Sequence, residues 1–205
     1  MTKLRTMLAA SVFAACCGTA MAEPVGSPPD AAALLGPDFV KQVRSWVDTE
    51  IVRLSVEGQN ERYGALSQEK IDALDKQWRA EREQDDKPLI AATLSNPLSV
   101  YLTRIQGQSL GMFVEIFVMD NKGLNVGQSS ITSDFWQGDE GKFQKTFPAG
   151  AGTVFVDEPE WDEDFKIWRA QLNMTLAAED GKTPIGAATI EVNLSELMRR
   201  TGAGS

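Results

Sequence analysis

The chain has 205 residues, of which 42% are hydrophobic and 24% charged, with 20 lysines and arginines against 29 aspartates and glutamates. This composition excludes wholesale disorder and a polytopic membrane protein. The chain has no histidine and only two cysteines, Cys16 and Cys17, which excludes a histidine-based triad, a histidine-assisted zinc site and histidine ligation of haem.

The first 22 residues have the layout of a secretory signal peptide. Lys3 and Arg5 precede an apolar stretch over residues 7–17, and a small-x-small sequence ends at Ala22. We predict cleavage after Ala22 and a soluble secreted product, periplasmic if the signal is bacterial. A retained membrane anchor and lipid attachment at Cys16 are the alternatives to cleavage.

Cleavage removes both cysteines and leaves 183 residues, whose 18 basic and 29 acidic side chains give a formal charge of -11 in place of -9. A chain without cysteine carries no disulfide, no thiolate nucleophile and no cysteine-ligated metal. The acidic balance argues against a nucleic-acid partner, because phosphate binding needs concentrated lysine and arginine. We predict no cofactor.

The rest of the chain is predicted to form one domain. Residues 23–36 are rich in proline, glycine and serine and are expected to form a flexible lead-in. The domain follows over residues 37–198, with a helical part over 37–110 and a sheet part over 111–194. Residues 199–205 are predicted to be a polar tail.

Three helices are predicted in the first part of the domain. A long amphipathic helix begins at Pro37 and is expected to run to about Glu57, before a break over residues 58–64. Its apolar stripe consists of Phe39, Val43, Trp46, Val47 and Leu54. A second helix is expected to be capped by Ser67, and a third by Asn96.

From residue 111 the hydrophobic period changes from about 3.6 to 2, which indicates strands. The predicted strands span residues 113–119, 124–130, 153–156, 165–178 and 184–194. A short helix is expected around residues 140–145, an acidic loop over 157–164, and a terminal helix capped by Ser195. The predicted fold is α+β, with a five-stranded antiparallel sheet that has the long helix on one face and residues 129–164 over the other. A sheet face roofed by loops is a natural place for a small-molecule cavity.

Three segments in order resemble the extracellular Cache sensor domains, also called PDC domains. They are FVMDNKGLNVG at residues 117–127, DFWQGDE at 134–140 and GKTPIGAATIEVNL at 181–194, and the resemblance covers roughly residues 37–197. The resemblance implies a PAS-like five-stranded sheet with a long N-terminal helix, and binding of a small metabolite over the sheet without enzymatic chemistry. The aromatic-Arg-Trp-Tyr-Asp signature of the family's amine and amino-acid binders is not found, so that ligand class is not carried over.

Members of this family usually signal through an attached transmembrane helix. The sequence shows no second apolar stretch long enough to span a bilayer and no kinase, cyclase or chemoreceptor output domain. The resemblance therefore implies a membrane partner, such as a sensor kinase or a chemoreceptor, or a scavenging role.

Candidate ligand-binding residues lie on the strand predicted over residues 165–178. Arg169, Gln171 and Asn173 belong to a polar row that alternates with an apolar row, so they face either solvent or a cavity. Arg169 is the candidate for holding an anionic group, since a guanidinium donates two parallel hydrogen bonds. An ion pair with a nearby carboxylate is the alternative role for Arg169.

The resemblance places Asp134, Trp136 and Asp139 in the wall of the pocket, and Trp161 lies in the acidic loop ahead of the long strand. Aromatic walls with one or two charged groups suit a cation or a flat ligand. Ordinary packing is the alternative for both indoles. The acidic loop lacks the pattern of a calcium-binding loop, and we predict no metal site.

We expect a secreted Cache-like domain that binds a small molecule, as an accessory sensor or binding protein and not as an enzyme. The alternative is an interaction module without a ligand, which forms a homodimer or docks on a membrane protein through its long N-terminal helix.

Overall fold

The computed structural model describes residues 27–202, so the predicted signal peptide and the last three residues lie outside the described residues. The helices are α1 (Ala31–Leu34), α2 (Pro37–Val47), α3 (Glu50–Tyr63), α4 (Gln68–Arg82), α5 (Pro88–Leu94), α6 (Pro97–Gln108), α7 (Gly141–Gln144) and α8 (Leu194–Thr201). The strands are β1 (Phe113–Met119), β2 (Asn125–Gln128), β3 (Val154–Val156), β4 (Glu160–Asp162), β5 (Ile167–Ala177) and β6 (Pro184–Asn193). Within residues 27–202, no helix combines the length and hydrophobicity needed to cross a bilayer.

The strands form one antiparallel sheet in the order β2-β1-β6-β5-β3, with β4 also paired to β5. The predicted α+β class with an antiparallel sheet is confirmed. The sheet has six strands and not five, because residues 160–162 of the predicted acidic loop pair with β5. Lys166 adopts a positive φ of 56° in the turn that joins β4 to β5, which returns the chain tightly enough for this pairing.

The predicted long N-terminal helix is interrupted in the structure. It ends at Val47 and resumes at Glu50, with Thr49 in extended backbone conformation between α2 and α3. The side chains at the interruption bond locally, since Asp48 pairs with Arg44 and the Thr49 hydroxyl donates to the Trp46 carbonyl. Such bonds compete with a continuous helix.

The second half of that helix also differs from the prediction. α3 continues through Gly58 to Tyr63, where we expected a break, and Leu54 of the predicted apolar stripe is 52% exposed. Packing of the face that carries Val52 and Val56 offsets the weak helix propensity of glycine, which is worth about 1 kcal/mol.

Four further expectations are corrected. The predicted lead-in contains the short helix α1, and helix α5 lies between the second and third predicted helices. Asn193, and not Ser195, caps α8 by accepting from the Glu196 amide at 2.9 Å, while the Ser195 hydroxyl accepts from the Trp168 amide. α8 extends to Thr201, so the predicted tail begins inside a helix. The predicted cap at Asn96 is confirmed, with 2.8 Å to the Ser99 amide.

The two faces of the sheet differ in what covers them. The main core lies between one face and helices α1, α2, α3, α6 and α8. A second cluster joins α4 and α5 to Leu124 and Phe135. On the other face Phe117, Met119 and Ala187 pack beneath Phe143, and that side of the sheet carries the site.

Candidate functional site

Side chains along β5 alternate between the two faces of the sheet. Trp168, Ala170, Leu172, Met174 and Leu176 all lie in the main core, as predicted. The intervening polar row therefore points to the opposite face, toward the connection that contains α7. This arrangement places charged side chains between the sheet and that connection, which covers them and which we call the roof.

A cavity of about 190 Å³ lies between β5, β6 and this roof. We call it the charged cavity, and its lining residues are Glu140, Gly141, Lys142, Asp157, Glu158, Glu160, Arg169, Ala170, Gln171 and Glu191. The roof is anchored by Phe143, which stacks on Phe147 with ring centroids 5.2 Å apart. Thr146 also ties the roof together, since its hydroxyl donates to the Lys142 carbonyl at 2.6 Å.

Arg169 is ion-paired inside the chain. Its Nη1 lies 3.1 Å from Glu191 Oε1 and 3.3 Å from Asp162 Oδ2, and its Nη2 lies 4.0 Å from Glu160 Oε2. This is the alternative that the sequence left open for Arg169. Its Nε is buried and has no hydrogen-bond partner among the described residues.

Lys142 supplies the second cation of the charged cavity. Its Nζ lies 2.9 Å from Glu140 Oε2 and donates to Gln137 Oε1 at 3.2 Å. The same ammonium lies 5.4 Å from the centre of the Phe117 ring, within the range of a cation–π contact. Only 14% of the Lys142 side chain is exposed, so these contacts hold it in place.

Two carboxylates lie opposite each other beneath these cations. Glu115 of β1 and Glu191 of β6 are directly paired in the antiparallel register. Burial raises the pKa of Glu191, Arg169 opposes this rise and Glu115 adds to it. Burial also raises the pKa of Glu115, although the Ser130 hydroxyl donates to it at 3.0 Å. Facing carboxylates in adjacent strands repel each other, so the pair makes this face negative.

Of the predicted site residues, Arg169 and Gln171 line the charged cavity. Asn173 lies two residues further along the polar row and is buried. Its Oδ1 accepts from the Thr189 hydroxyl at 2.8 Å.

The other predicted site residues do not line this cavity. Asp134 pairs with Arg79 at 2.8 Å, and Asp139 is exposed in a turn. Trp136 packs in the second cluster and donates from Nε1 to the Lys122 carbonyl at 2.8 Å. Trp161 packs edge-on against Trp168, with ring centroids 5.5 Å apart. Both indoles thus have the packing role that the sequence left open, and their ligand-binding role stays a prediction.

The sequence reasoning missed Lys142, Glu191 and Glu115 as site residues. Two of them carried a signal, because Glu115 and Glu191 interrupt strands that are otherwise mostly apolar. A charged residue buried in such a strand needs a partner or a function. Lys142 carried no such signal, since it lies in a mixed segment of the chain.

A second cavity of about 370 Å³ lies at the other end of the sheet, between the α2–α3 interruption and the β5–β6 turn. Its two arginines are paired with carboxylates four residues further along the chain, Arg44 to Asp48 and Arg53 to Glu57. It contains none of the predicted site residues. Among residues 27–202, no cluster of three or more potential ligand side chains is arranged to hold a metal ion.

Glu115→Gln is expected to stabilise the ligand-free protein by about 1 kcal/mol near neutral pH. The stability that an acid with a raised folded pKa contributes is fully present below its ordinary pKa of 4.5 and is lost as pH rises through the folded pKa. Urea unfolding should therefore show a gain that disappears in acid. The exposed Glu163→Gln is the control, and an equal gain from both variants would contradict the explanation.

No family model matches the chain, and no curated protein matches it. Among solved structures, it is similar to the sensory domain of the Campylobacter jejuni chemoreceptor Tlp3, with a TM-score of 0.39, 12% identity and coverage of 79% of this chain. It is also similar to the sensor domain of the V. cholerae histidine kinase DctB, with a TM-score of 0.37, 12% identity and 79% coverage. A third is the ligand-binding domain of the Pseudomonas aeruginosa amino-acid chemoreceptor PctC in complex with GABA, with a TM-score of 0.32, 16% identity and 76% coverage.

The chain spans 60%, 58% and 61% of the length of those three chains, respectively. All three of those structures are sensory, sensor or ligand-binding domains.

Proposed function

We propose that this chain is a secreted domain that binds a small molecule in the charged cavity. The observation that carries the proposal is the concentration of charged groups under a roof, on a sheet whose opposite face is ordinary core. Cavities with a few convergent charged groups and perturbed pKa values are typical of binding sites. Glu191 combines these properties, since it is buried, lines the cavity and has a raised pKa.

The role we propose is that of an accessory sensor or binding protein. The charged side chains of the cavity hold one another in ion pairs, which suits enclosure of a ligand more than proton transfer or nucleophilic attack. The resemblance to Cache domains supports a signalling role. A membrane sensor kinase or chemoreceptor is the partner that such a role needs.

A screen by thermal shift tests the binding function. Purified protein is heated with amino acids, amines, carboxylates, sugars and divalent ions, each over a range of concentrations. A small molecule that binds only the folded state raises the melting temperature progressively as its concentration rises above its Kd. If no compound does so and the protein instead forms a dimer whose population depends on concentration, the interaction module without a ligand replaces this proposal.

The compartment is part of the same proposal. Expression of the full chain in a bacterium should yield a periplasmic protein whose intact mass corresponds to a first residue of Glu23. A product that keeps the leader would indicate a retained membrane anchor in place of cleavage after Ala22. A product that carries a lipid in the membrane fraction would indicate lipid attachment at Cys16.

A further inference from the structure

The charged cavity has an excess of negative charge. Five carboxylates line it, against the two cations Lys142 and Arg169. Lys142 is already paired with Glu140, and Arg169 is paired with Glu191 and with Asp162 outside the lining. Each of the two cations is therefore already paired with a carboxylate of the chain. Further lining carboxylates, such as Asp157 and Glu158, add negative charge that these two cations do not balance.

The negative charge is most concentrated where Glu191 faces Glu115. Both residues belong to central strands of the sheet, and the antiparallel register places their side chains next to each other on the same face. The Ser130 hydroxyl donates to Glu115, and Lys142 and Arg169 lower the pKa of both carboxylates, but burial still leaves both pKa values raised. A positive group bound in the cavity beside this pair would reduce the repulsion between the two carboxylates that persists in the ligand-free protein.

We propose that the charged cavity takes a small organic cation, with its ammonium group against the Glu191 carboxylate and within the field of Glu115. The inference rests on the proposed binding function and names the class of ligand for that site. Arg169 then acts as a positioning residue that holds Glu191 and Asp162, in contrast to the anion-binding role that the sequence suggested.

An anionic ligand fits this environment poorly. Nη1 of Arg169 already lies 3.1 Å from Glu191 and 3.3 Å from Asp162, and its Nε is buried, so a ligand carboxylate could approach only Nη2, beside Glu160 at 4.0 Å. There it would be repelled by the carboxylates that line the cavity.

The proposal predicts a pH dependence. The charged groups around Glu191 are Arg169 on β5, Glu115 on β1, Glu140 and Lys142 on the roof, and Asp157, Glu158, Glu160 and Asp162 around β4. Its carboxylate must be ionised to attract an ammonium group, so the affinity for a cation should be higher at about pH 7.5 than at about pH 5.

Putrescine and succinate, which have equally long carbon chains but opposite charges, form the test. Calorimetry and thermal shift are run for both on the protein, on Glu191→Gln and on the control Glu163→Gln. We expect a saturable calorimetric isotherm and concentration-dependent stabilisation with putrescine, and neither with succinate. The affinity for putrescine should be about tenfold weaker in Glu191→Gln but unchanged in the control. If Glu191→Gln fails to fold, the pH dependence of putrescine binding to the unaltered protein decides instead.

The outcomes separate this inference from the proposed function. Stabilisation by succinate alone, or a hit among only neutral and anionic compounds of the wider screen, overturns the cationic class and leaves the binding function standing. Binding of putrescine that neither Glu191→Gln nor pH alters overturns the assignment of Glu191. Failure of every compound in the screen removes both proposals.

Discussion

Trp78→Ala is expected to lower the free energy of unfolding by about 3–5 kcal/mol, the largest effect that we predict for a single substitution. Trp78 is fully buried between α4 and the segment that follows β2. Its ring stacks on Phe135 with centroids 5.3 Å apart, and its Nε1 donates to the Thr132 carbonyl at 3.0 Å. Truncation leaves a large cavity and an unsatisfied carbonyl together.

Hydrogen bonds to a buried carboxylate hold the same region in place, and truncation of Trp78 would disturb them. Asp75 lies one helical turn before Trp78, and its Oδ1 accepts from the amides of Phe135 and Trp136 at 2.9 and 3.1 Å. Chemical denaturation measures the effect, with Phe165→Ala as the control, because Phe165 is 73% exposed. A loss below about 1 kcal/mol for Trp78→Ala, comparable to the control, would contradict this description of the second cluster.

Arg169→Met is expected to lower the free energy of unfolding by about 2 kcal/mol near neutral pH. Removing one partner of a buried ion pair typically costs about 3–5 kcal/mol, and the 31% exposure of Arg169 reduces that figure. Methionine keeps an apolar stem of similar length, so the loss reports mainly the unpaired charges of Glu191 and Asp162.

The pH dependence of this loss identifies its cause. Arg169 stabilises the ionised form of Glu191, whose folded pKa is raised by burial, so its contribution is full well above that raised pKa and is lost as pH falls through it. Urea unfolding at several pH values should show a deficit that shrinks toward acid. A deficit that is independent of pH would indicate lost packing, and no deficit at all would contradict the ion-pair role of Arg169.

The parts of the fold that follow local patterns could be predicted. The period-two alternation of β5 identified which of its side chains enter the core, and Asn96 was recognised as a cap. Strand β4 could not be predicted in the same way, because a three-residue strand in an acidic run forms only through pairing with β5. The interruption at Asp48 and Thr49 depends on weak local bonds that an apolar periodicity does not reveal.

The site was only partly predictable for a related reason. Arg169 and Gln171 were found because strand alternation places them on one face, whereas Trp136 and Trp161 have packing partners that chain position alone does not specify. The register that sets Glu115 against Glu191 joins residues far apart in the chain. Their position within apolar strands was the available signal.

The central claim is that the charged cavity encloses a small molecule. The most direct measurement is a crystal structure of the protein purified from its own host, at a resolution that shows bound solvent. We predict density for a small organic molecule between the roof and β5, with a polar atom within hydrogen-bond distance of Glu191. The claim would be contradicted if the cavity held only ordered water and density for the molecule lay at the α2–α3 interruption or nowhere in the protein.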